Sequence, residues 1–189
     1  MLNKLHLWEI IKNGHKSLYH EIDGHKGSVL QKIIIFDFVP IVISIGLYFL
    51  TDFQTKLPEF SSDILSGLSI FSGLLFSLII VIVDKAKARK ATLLGSQNEE
   101  EKNYLSKYLL YSEQLVTQIS LSIIYAFLVI LLLILSLIRL ENLNIPSELI
   151  TIISSIGILL ITYFSIQFFF LILLIISGMY SIFINDIDS

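Results

Sequence analysis

All four histidines of the chain lie within its first twenty-five residues, close to Glu21 and Asp23, and imidazole and carboxylate groups are common metal ligands. A zinc-binding helix places two histidines four residues apart, so that both side chains lie on one face. His15, His20 and His25 are instead five residues apart, which turns successive side chains about 140° away from each other on a helix. We therefore expect no metal site, with the histidines in water or facing lipid.

A second group of polar side chains interrupts apolar parts of the sequence, where ionisable residues are costly and usually functional. The group consists of Asp37, Asp84, Gln118 and Gln167. If the helices that carry them run about parallel, these side chains lie at similar depth. The sequence therefore predicts a polar layer near the cytoplasmic face of a membrane. In the simpler alternative, Asp37 pairs with Lys32 or Lys85 or snorkels to the interface.

The sequence lacks the residue combinations that familiar catalytic mechanisms require. It has no phosphate-binding glycine loop, no nucleophile elbow, no zinc-protease motif and no paired carboxylates within an apolar run. It also contains no cysteine, which excludes thiolate nucleophiles, disulfides and cysteine-ligated metals. We predict no enzyme activity and no bound cofactor.

The composition indicates that membrane helices position these residues. The chain of 189 residues is 54% hydrophobic and only 15% charged, with a mean hydropathy of +0.80, whereas soluble domains carry about 25% charged residues. A helix needs about twenty apolar residues to cross a bilayer. The sequence therefore predicts an all-α polytopic membrane protein with four transmembrane helices, at residues 33–50, 62–84, 115–140 and 148–184.

Between the second and third predicted spans, residues 84–114 carry charges of both signs and signals for two helix ends. Gly95 is suited to end the first helix, and Ser96 to Glu99 match a capping box for the next. We expect a cytoplasmic helical hairpin that extends about 15–25 Å beyond the lipid. The charged residues expected to face a protein partner are Lys87, Arg89, Lys90, Glu99 and Glu100.

Residues 1–32 are predicted to form a cytoplasmic amphipathic segment, and residues 185–189 a short tail. Apolar residues recur at three-residue spacing up to Ile11, and Asn13-Gly14 is expected to break that pattern. The segment either lies at the interface with Trp8 at headgroup level or packs on the cytoplasmic ends of the spans.

The distribution of positive charge predicts the orientation. Eleven of the thirteen basic residues lie before the first span or in the central loop, and only Lys56 and Arg139 lie in the other two loops. Basic residues accumulate on the cytoplasmic side, so both termini and the hairpin are expected there. The net charge of −3 gives no electrostatic reason for direct nucleic-acid binding.

Small residues repeat every four positions along the second span, at Ser69, Gly73 and Ser77. Such a face lets another helix approach closely in lipid. The contact is either within the bundle or between subunits, and together with the small size of the chain it leads us to predict a homo-oligomer.

Four spans, short cytoplasmic ends, a helical hairpin and the lack of an enzyme motif together resemble the small four-span membrane subunits of bacterial anti-phage defence systems, in particular the KwaA subunits of Kiwa systems. The resemblance is one of size and topology over the whole chain and transfers no site residues. It implies an oligomeric sensor or scaffold that responds to phage at the envelope and holds a cytoplasmic partner acting on phage nucleic acid. The alternatives are a small channel or transporter subunit and a membrane-permeabilising effector.

Overall fold

The computed structural model describes residues 7–19, 32–50, 53–95, 97–136 and 146–187. Helices account for nearly all of these residues, and no strand occurs among them, which confirms the all-α prediction. The elements are α1 (Leu7–Tyr19), a π-helical turn (Ile34–Phe38), α2 (Val39–Leu50), α3 (Phe53–Gly95), α4 (Glu99–Ser136) and α5 (Ser147–Ile187). Some residues named in the sequence predictions lie outside the described ranges, namely His6, His20, His25, Ser96 and residues 137–140.

Three helices are long and apolar enough to cross a membrane, judged by length and composition. Helices α3, α4 and α5 contain 43, 38 and 41 residues. At 1.5 Å per residue they measure about 57 to 65 Å, which exceeds the roughly 30 Å of a hydrocarbon core. The remaining apolar helix, Ile34–Phe49, is shorter.

Helix α4 lies at the centre of the bundle, because α1, α3 and α5 all pack against it while α2 packs mainly on α5. Its core positions, including Ile119, Ala126 and Val129, are completely buried. Within the most apolar eighteen residues of each long helix, 44% are buried on α4 and only 17% on α3. Most of the surface of α3 is therefore left uncovered within one chain.

The bounds of α3 and α5 differ from the predicted spans. Helix α3 begins at Phe53 rather than at Ser62, so Pro58, which precedes the predicted span, lies in the second turn of the helix. Helix α5 continues without a break to Ile187, which includes part of the predicted tail.

The connection between α3 and α4 is short, and Asn98 caps the second helix. Its Oδ1 accepts a hydrogen bond of 3.0 Å from the Glu100 N–H. The cap is therefore two residues later than the Ser96 that the sequence suggested. Beyond the connection, the two helices stay packed on each other, with the Arg89 guanidinium 5.5 Å from the centre of the Tyr108 ring.

Helix α1 continues through Asn13-Gly14, so the predicted break there is wrong. Gly14 is buried, and a Cβ atom at this position would lie 2.9 Å from Cβ of Leu121. The glycine therefore permits close approach of α1 to α4 instead of ending the helix. Trp8 projects from the same helix with 76% of its surface exposed.

Candidate functional site

Polar side chains meet where α1, the π-helical turn, α4 and α5 come together. We call the following six residues the polar cluster: His15, Tyr19, Asp37, Tyr125, Tyr163 and Gln167. Each is linked to another by a hydrogen bond, and Tyr163 also lies close enough to Tyr19 to act on it electrostatically. The cluster thus connects four separate elements of the chain.

Tyr19 and Asp37 form the contact between α1 and the π-helical turn. The Tyr19 hydroxyl donates a hydrogen bond of 2.5 Å to Oδ2 of Asp37. Burial, and then the neighbouring Asp37 carboxylate, raise the pKa of Tyr19 above its ordinary value. The phenol therefore stays protonated and keeps its donor. The Lys32 Nζ lies 3.5 Å from the carbonyl oxygen of Tyr19 and brings a cation to the same place.

His15 and Ser17 connect α1 to α4. Nε2 of His15 lies 3.0 Å from the Tyr125 hydroxyl, and the two rings meet edge to face. Nε2 of Gln114 donates a hydrogen bond of 3.0 Å to the Ser17 carbonyl. With Leu18 buried in the core, these contacts dock α1 along one face of α4.

A proline explains the π-helical turn and the role of Gln167. In an α-helix the Phe36 carbonyl accepts a hydrogen bond from the N–H of residue 40, but Pro40 has none. The backbone instead widens, and the Val39 N–H bonds to Ile34, five residues earlier. Nε2 of Gln167 donates to the Phe36 carbonyl and so replaces the missing donor. Turns of this kind are frequent at functional sites.

Gln167 also leaves one polar atom without a partner. Its Nε2 lies 3.1 Å from the Tyr163 hydroxyl, but its Oε1 is buried and makes no hydrogen bond among the described residues. A buried acceptor left in this way carries a desolvation cost. The Oε1 atom can therefore accept a hydrogen bond from a further donor.

The α4 and α5 members of the polar cluster lie well inside the apolar part of the bundle. Gln167 lies midway along α5, and Tyr125 is twelve residues after Glu113, the last charged residue before the uncharged part of α4, a distance of about 18 Å along the helix. The half-buried Asp37 carboxylate lies near the start of the first apolar helix, five residues after Lys32.

The structure brings together two of the four side chains predicted to form a polar layer. Asp37 and Gln167 belong to the polar cluster. Gln118 is 3% exposed and lies on α4, about 10 Å along the helix from Tyr125. Asp84 is exposed on α3.

The small residues of α3 lie on its uncovered face. Ser69 and Ser77 are exposed, and their hydroxyls bond to carbonyls of their own helix. A Cβ atom placed on Gly73 would meet nothing within 4 Å. This face is therefore open to another helix.

The residues predicted to face a partner have different surroundings. Lys87 and Lys90 are exposed and line a groove between α3 and α4, whereas Arg89 is half-buried over Tyr108. Glu99 forms a 2.8 Å ion pair with Lys102 one turn later on α4. Glu100 is exposed and donates its backbone N–H to the Asn98 cap.

Sequence reasoning missed the aromatic members of the polar cluster. Its expectation that the histidines lie in water or face lipid is wrong for His15, which is half-buried and bonds to Tyr125. Tyr125 and Tyr163 were counted as part of apolar runs, because tyrosine is mostly apolar in area. A usable signal was present, since His15 and Tyr19 are four residues apart, as are Tyr163 and Gln167. Residues at this spacing share a helix face.

No protein-family model, no curated protein and no solved structure matches the chain. Within the described ranges, histidine and acidic side chains do not gather in groups of three or more that could hold a metal ion. Any function must therefore be inferred from the geometry of the polar cluster and of the α3–α4 pair.

Proposed function

We propose that the protein is a homo-oligomeric inner-membrane sensor or scaffold subunit that crosses the bilayer four times and presents a cytoplasmic hairpin to a soluble partner. Three long apolar helices support the membrane location. The π-helical turn and α2 provide the fourth crossing, and their seventeen residues are near the minimum for a bilayer.

The observation that carries this proposal is the packing of α3 and α4 beyond their apolar runs. Leu105 and Tyr108 are 1% and 6% exposed, although they lie among charged residues. Arg89 covers the Tyr108 ring, a cation–π arrangement that favours one geometry of the pair. A packed extension with exposed charges gives a defined surface for a soluble protein, which a flexible loop does not.

Self-association is supported by the uncovered face of α3. Apolar side chains there give no driving force in lipid, because lipid covers them equally well. Small residues differ, since they let two backbones approach closely and gain van der Waals contact. Gly73 has open space beside it, flanked by Ser69 and Ser77 on the same face.

The resemblance in size and predicted topology to KwaA subunits extends the proposal to a biological role. In that role the oligomer responds to phage attack at the envelope, and the hairpin holds a cytoplasmic partner that acts on phage nucleic acid. The membrane subunit itself makes no contact with nucleic acid.

Single-cysteine labelling tests the topology, since the natural chain contains no cysteine. Gln97→Cys lies exposed at the α3–α4 connection and Ser147→Cys lies exposed at the start of α5. We expect a membrane-impermeant maleimide added to intact spheroplasts to label Ser147→Cys and to label Gln97→Cys only after lysis. Labelling of Gln97→Cys in intact spheroplasts would contradict the cytoplasmic hairpin. Co-purification from cells then identifies the partner, and charge reversal at Lys87 and Lys90 should release it.

The polar cluster favours a second candidate function, an ion- or proton-conducting subunit. Transporters and channels commonly use an ionisable side chain among apolar helices, and Asp37 is half-buried near the start of the first apolar helix, bonded to Tyr19 of α1. Reconstitution and single-channel recording separate the two functions. Ion-selective conductance that is lost in Asp37→Asn supports conduction, whereas electrically silent bilayers together with a co-purifying soluble protein support the sensor or scaffold.

A further inference from the structure

Helix α1 has two sides of different composition. One side, which we call the Trp8 side, carries residues at successive spacings of four, three and four, namely Trp8, Lys12, His15 and Tyr19. The other side carries Asn13 and Ser17, which lie about 140° and 180° around the helix from Trp8.

The two sides of α1 contact different parts of α4. On the Trp8 side, His15 bonds to Tyr125, well inside the uncharged part of α4. On the other side, the Ser17 carbonyl accepts its hydrogen bond from Gln114, which directly follows the last charged residue before that part. Tyr125 and Gln114 are about 16 Å apart along the helix. The Trp8 side therefore faces the apolar part of the bundle, and the other side faces its charged part.

The Tyr19–Asp37 hydrogen bond sets the level of α1 relative to the first apolar helix. Asp37 lies in the π-helical turn with which that helix begins. In a protein that crosses the bilayer as proposed above, on which this inference rests, the start of a span lies near the phospholipid headgroups. Helix α1 thus lies at the edge of the bilayer, with its Trp8 side toward the lipid.

The two halves of α1 differ in burial. Gly14 and Leu18, in the C-terminal half, are buried against the bundle. In the N-terminal half Trp8 is 76% exposed, Leu7 is 46% exposed, and Lys12 is exposed one turn after Trp8. The first two turns of α1 therefore present an indole and an ammonium group beyond the surface that docks on α4.

We propose that the N-terminal half of α1 binds the lipid surface of the cytoplasmic leaflet beside the bundle. An indole has an apolar body and one N–H donor, which suits the boundary between headgroups and acyl chains. The stem of Lys12 lies along the hydrocarbon while its ammonium group binds lipid phosphate. The C-terminal half stays docked on α4, so that α1 contacts lipid and the polar cluster at the same time.

Other occupants of this surface fit the geometry less well. A soluble protein would approach from the charged part of the bundle, where Asn13 and Ser17 lie, whereas Trp8 is on the side that faces the apolar part. A second copy of the chain would have to cover Trp8 and the Lys12 ammonium group together. Lipid supplies hydrocarbon and phosphate side by side, which matches both side chains.

Spin labelling of single-cysteine variants of the full-length protein tests the proposal, since the natural chain contains no cysteine. The protein is reconstituted in vesicles of phosphatidylethanolamine and phosphatidylglycerol. Collisions of the label with oxygen, which concentrates in lipid, and with a nickel chelate, which stays in water, give its depth. We expect Trp8→Cys to place the label about 5–10 Å into the boundary between headgroups and acyl chains.

Matched variants provide the references for this depth. Asn13→Cys, on the other side of α1, should place the label in water. Lys12→Cys retains Trp8 and should place the label between these two, at headgroup level. Ile70→Cys is the lipid reference, because Ile70 is 65% exposed within the apolar run of α3.

The proposal is overturned if the label of Trp8→Cys collides with the nickel chelate as often as that of Asn13→Cys while Ile70→Cys reports lipid. It is also overturned by spin–spin broadening at position 8 that disappears on dilution with unlabelled protein, because a second copy would then cover Trp8. A label of Ile70→Cys in water would instead refute membrane insertion, and with it the proposed function on which this inference rests.

Discussion

The side-chain amide of Gln167 donates a hydrogen bond to the backbone carbonyl of Phe36, four residues before Pro40. In an uninterrupted helix the N–H of residue 40 would make that bond. A side chain on α5 thus supplies the missing hydrogen bond to the backbone of the first apolar helix. This bond connects the two helices at the middle of α5.

This relationship predicts a compensating pair of substitutions. Gln167→Leu removes the donor from the part-buried Phe36 carbonyl and should lower the free energy of unfolding by about 1–3 kcal/mol. Pro40→Ala restores a backbone N–H, so the loss caused by Gln167→Leu should be smaller in that background. Thermal unfolding in detergent of the natural protein, the two single variants and the double variant measures the coupling energy between Gln167 and Pro40. As a control, the buried Gln118→Leu should combine additively with Pro40→Ala, and equal coupling in the two cycles would contradict the assigned role.

The Tyr19–Asp37 hydrogen bond predicts a second stability effect. Tyr19→Phe leaves the half-buried Asp37 carboxylate without the phenol donor and should destabilise the protein by about 1–3 kcal/mol. Tyr180→Phe, at a tyrosine that is 67% exposed on α5, should change the unfolding midpoint little. In the Asp37→Asn background Tyr19→Phe should cost less, because the charged acceptor has gone. Equal midpoints for Tyr19→Phe and the natural protein would show that the contact contributes nothing.

Two glycine contacts, one buried and one half-buried, predict opposite outcomes for the same substitution. Alanine is the better helix former by about 1 kcal/mol, so Gly→Ala stabilises a helix where space permits. At Gly178 the new Cβ meets only the terminal Cδ2 of Leu115, at 2.8 Å, and that methyl group can rotate away. Gly178→Ala should therefore be neutral or stabilising.

At Gly14 the new Cβ meets Cβ of Leu121 at 2.9 Å, and this atom is fixed to the backbone of α4. Gly14→Ala should cost about 1–3 kcal/mol and displace α1. Limited trypsin digestion at Lys12 and Lys16 should become faster in this variant. Leu121→Ala keeps the clashing Cβ atom and should not restore the slow cleavage. Unchanged digestion of Gly14→Ala would argue against the close contact.

The open face of α3 predicts the effect of a bulky residue on self-association. Gly73→Leu should reduce the mass measured by light scattering in mild detergent from oligomer to monomer, with little change in unfolding, because the space beside Gly73 is open within one chain. Gly157→Leu is the matched control, since Gly157 on α5 also has nothing within 4 Å. If the natural protein is monomeric in mild detergent, the proposed self-association through this face of α3 is wrong.

Much of the helical layout was predictable, because long apolar runs and strong caps are local signals. Helix α3 ends at Gly95, where the sequence predicts the turn, although Gly95 is itself the last helical residue and is not left-handed. The start of α3 was harder to predict, because a proline such as Pro58 usually indicates a loop, whereas α3 includes it. Local propensity was overridden there by the length of the helix that follows.

The polar cluster was predictable only in part, because its contacts join residues far apart in sequence. Asp37 and Gln167 were recognised as polar interruptions, but their partners depend on where α1 docks. Gly14 illustrates the difficulty: in sequence a glycine after asparagine indicates a helix end, and only the position of Leu121 shows that it is a contact point. Tertiary packing of this kind leaves no periodic pattern in a single chain.

The exposed indole of Trp8 is an intrinsic fluorescence probe of the docked helix α1. It is the only tryptophan of the chain, so the ultraviolet emission of the unmodified protein comes chiefly from α1. Indole emission moves to shorter wavelength in hydrocarbon than in water, and bromine atoms on acyl chains quench it. The emission wavelength of Trp8 and its quenching by brominated lipid therefore report whether α1 lies in the leaflet or leaves it on activation, with no label on the protein.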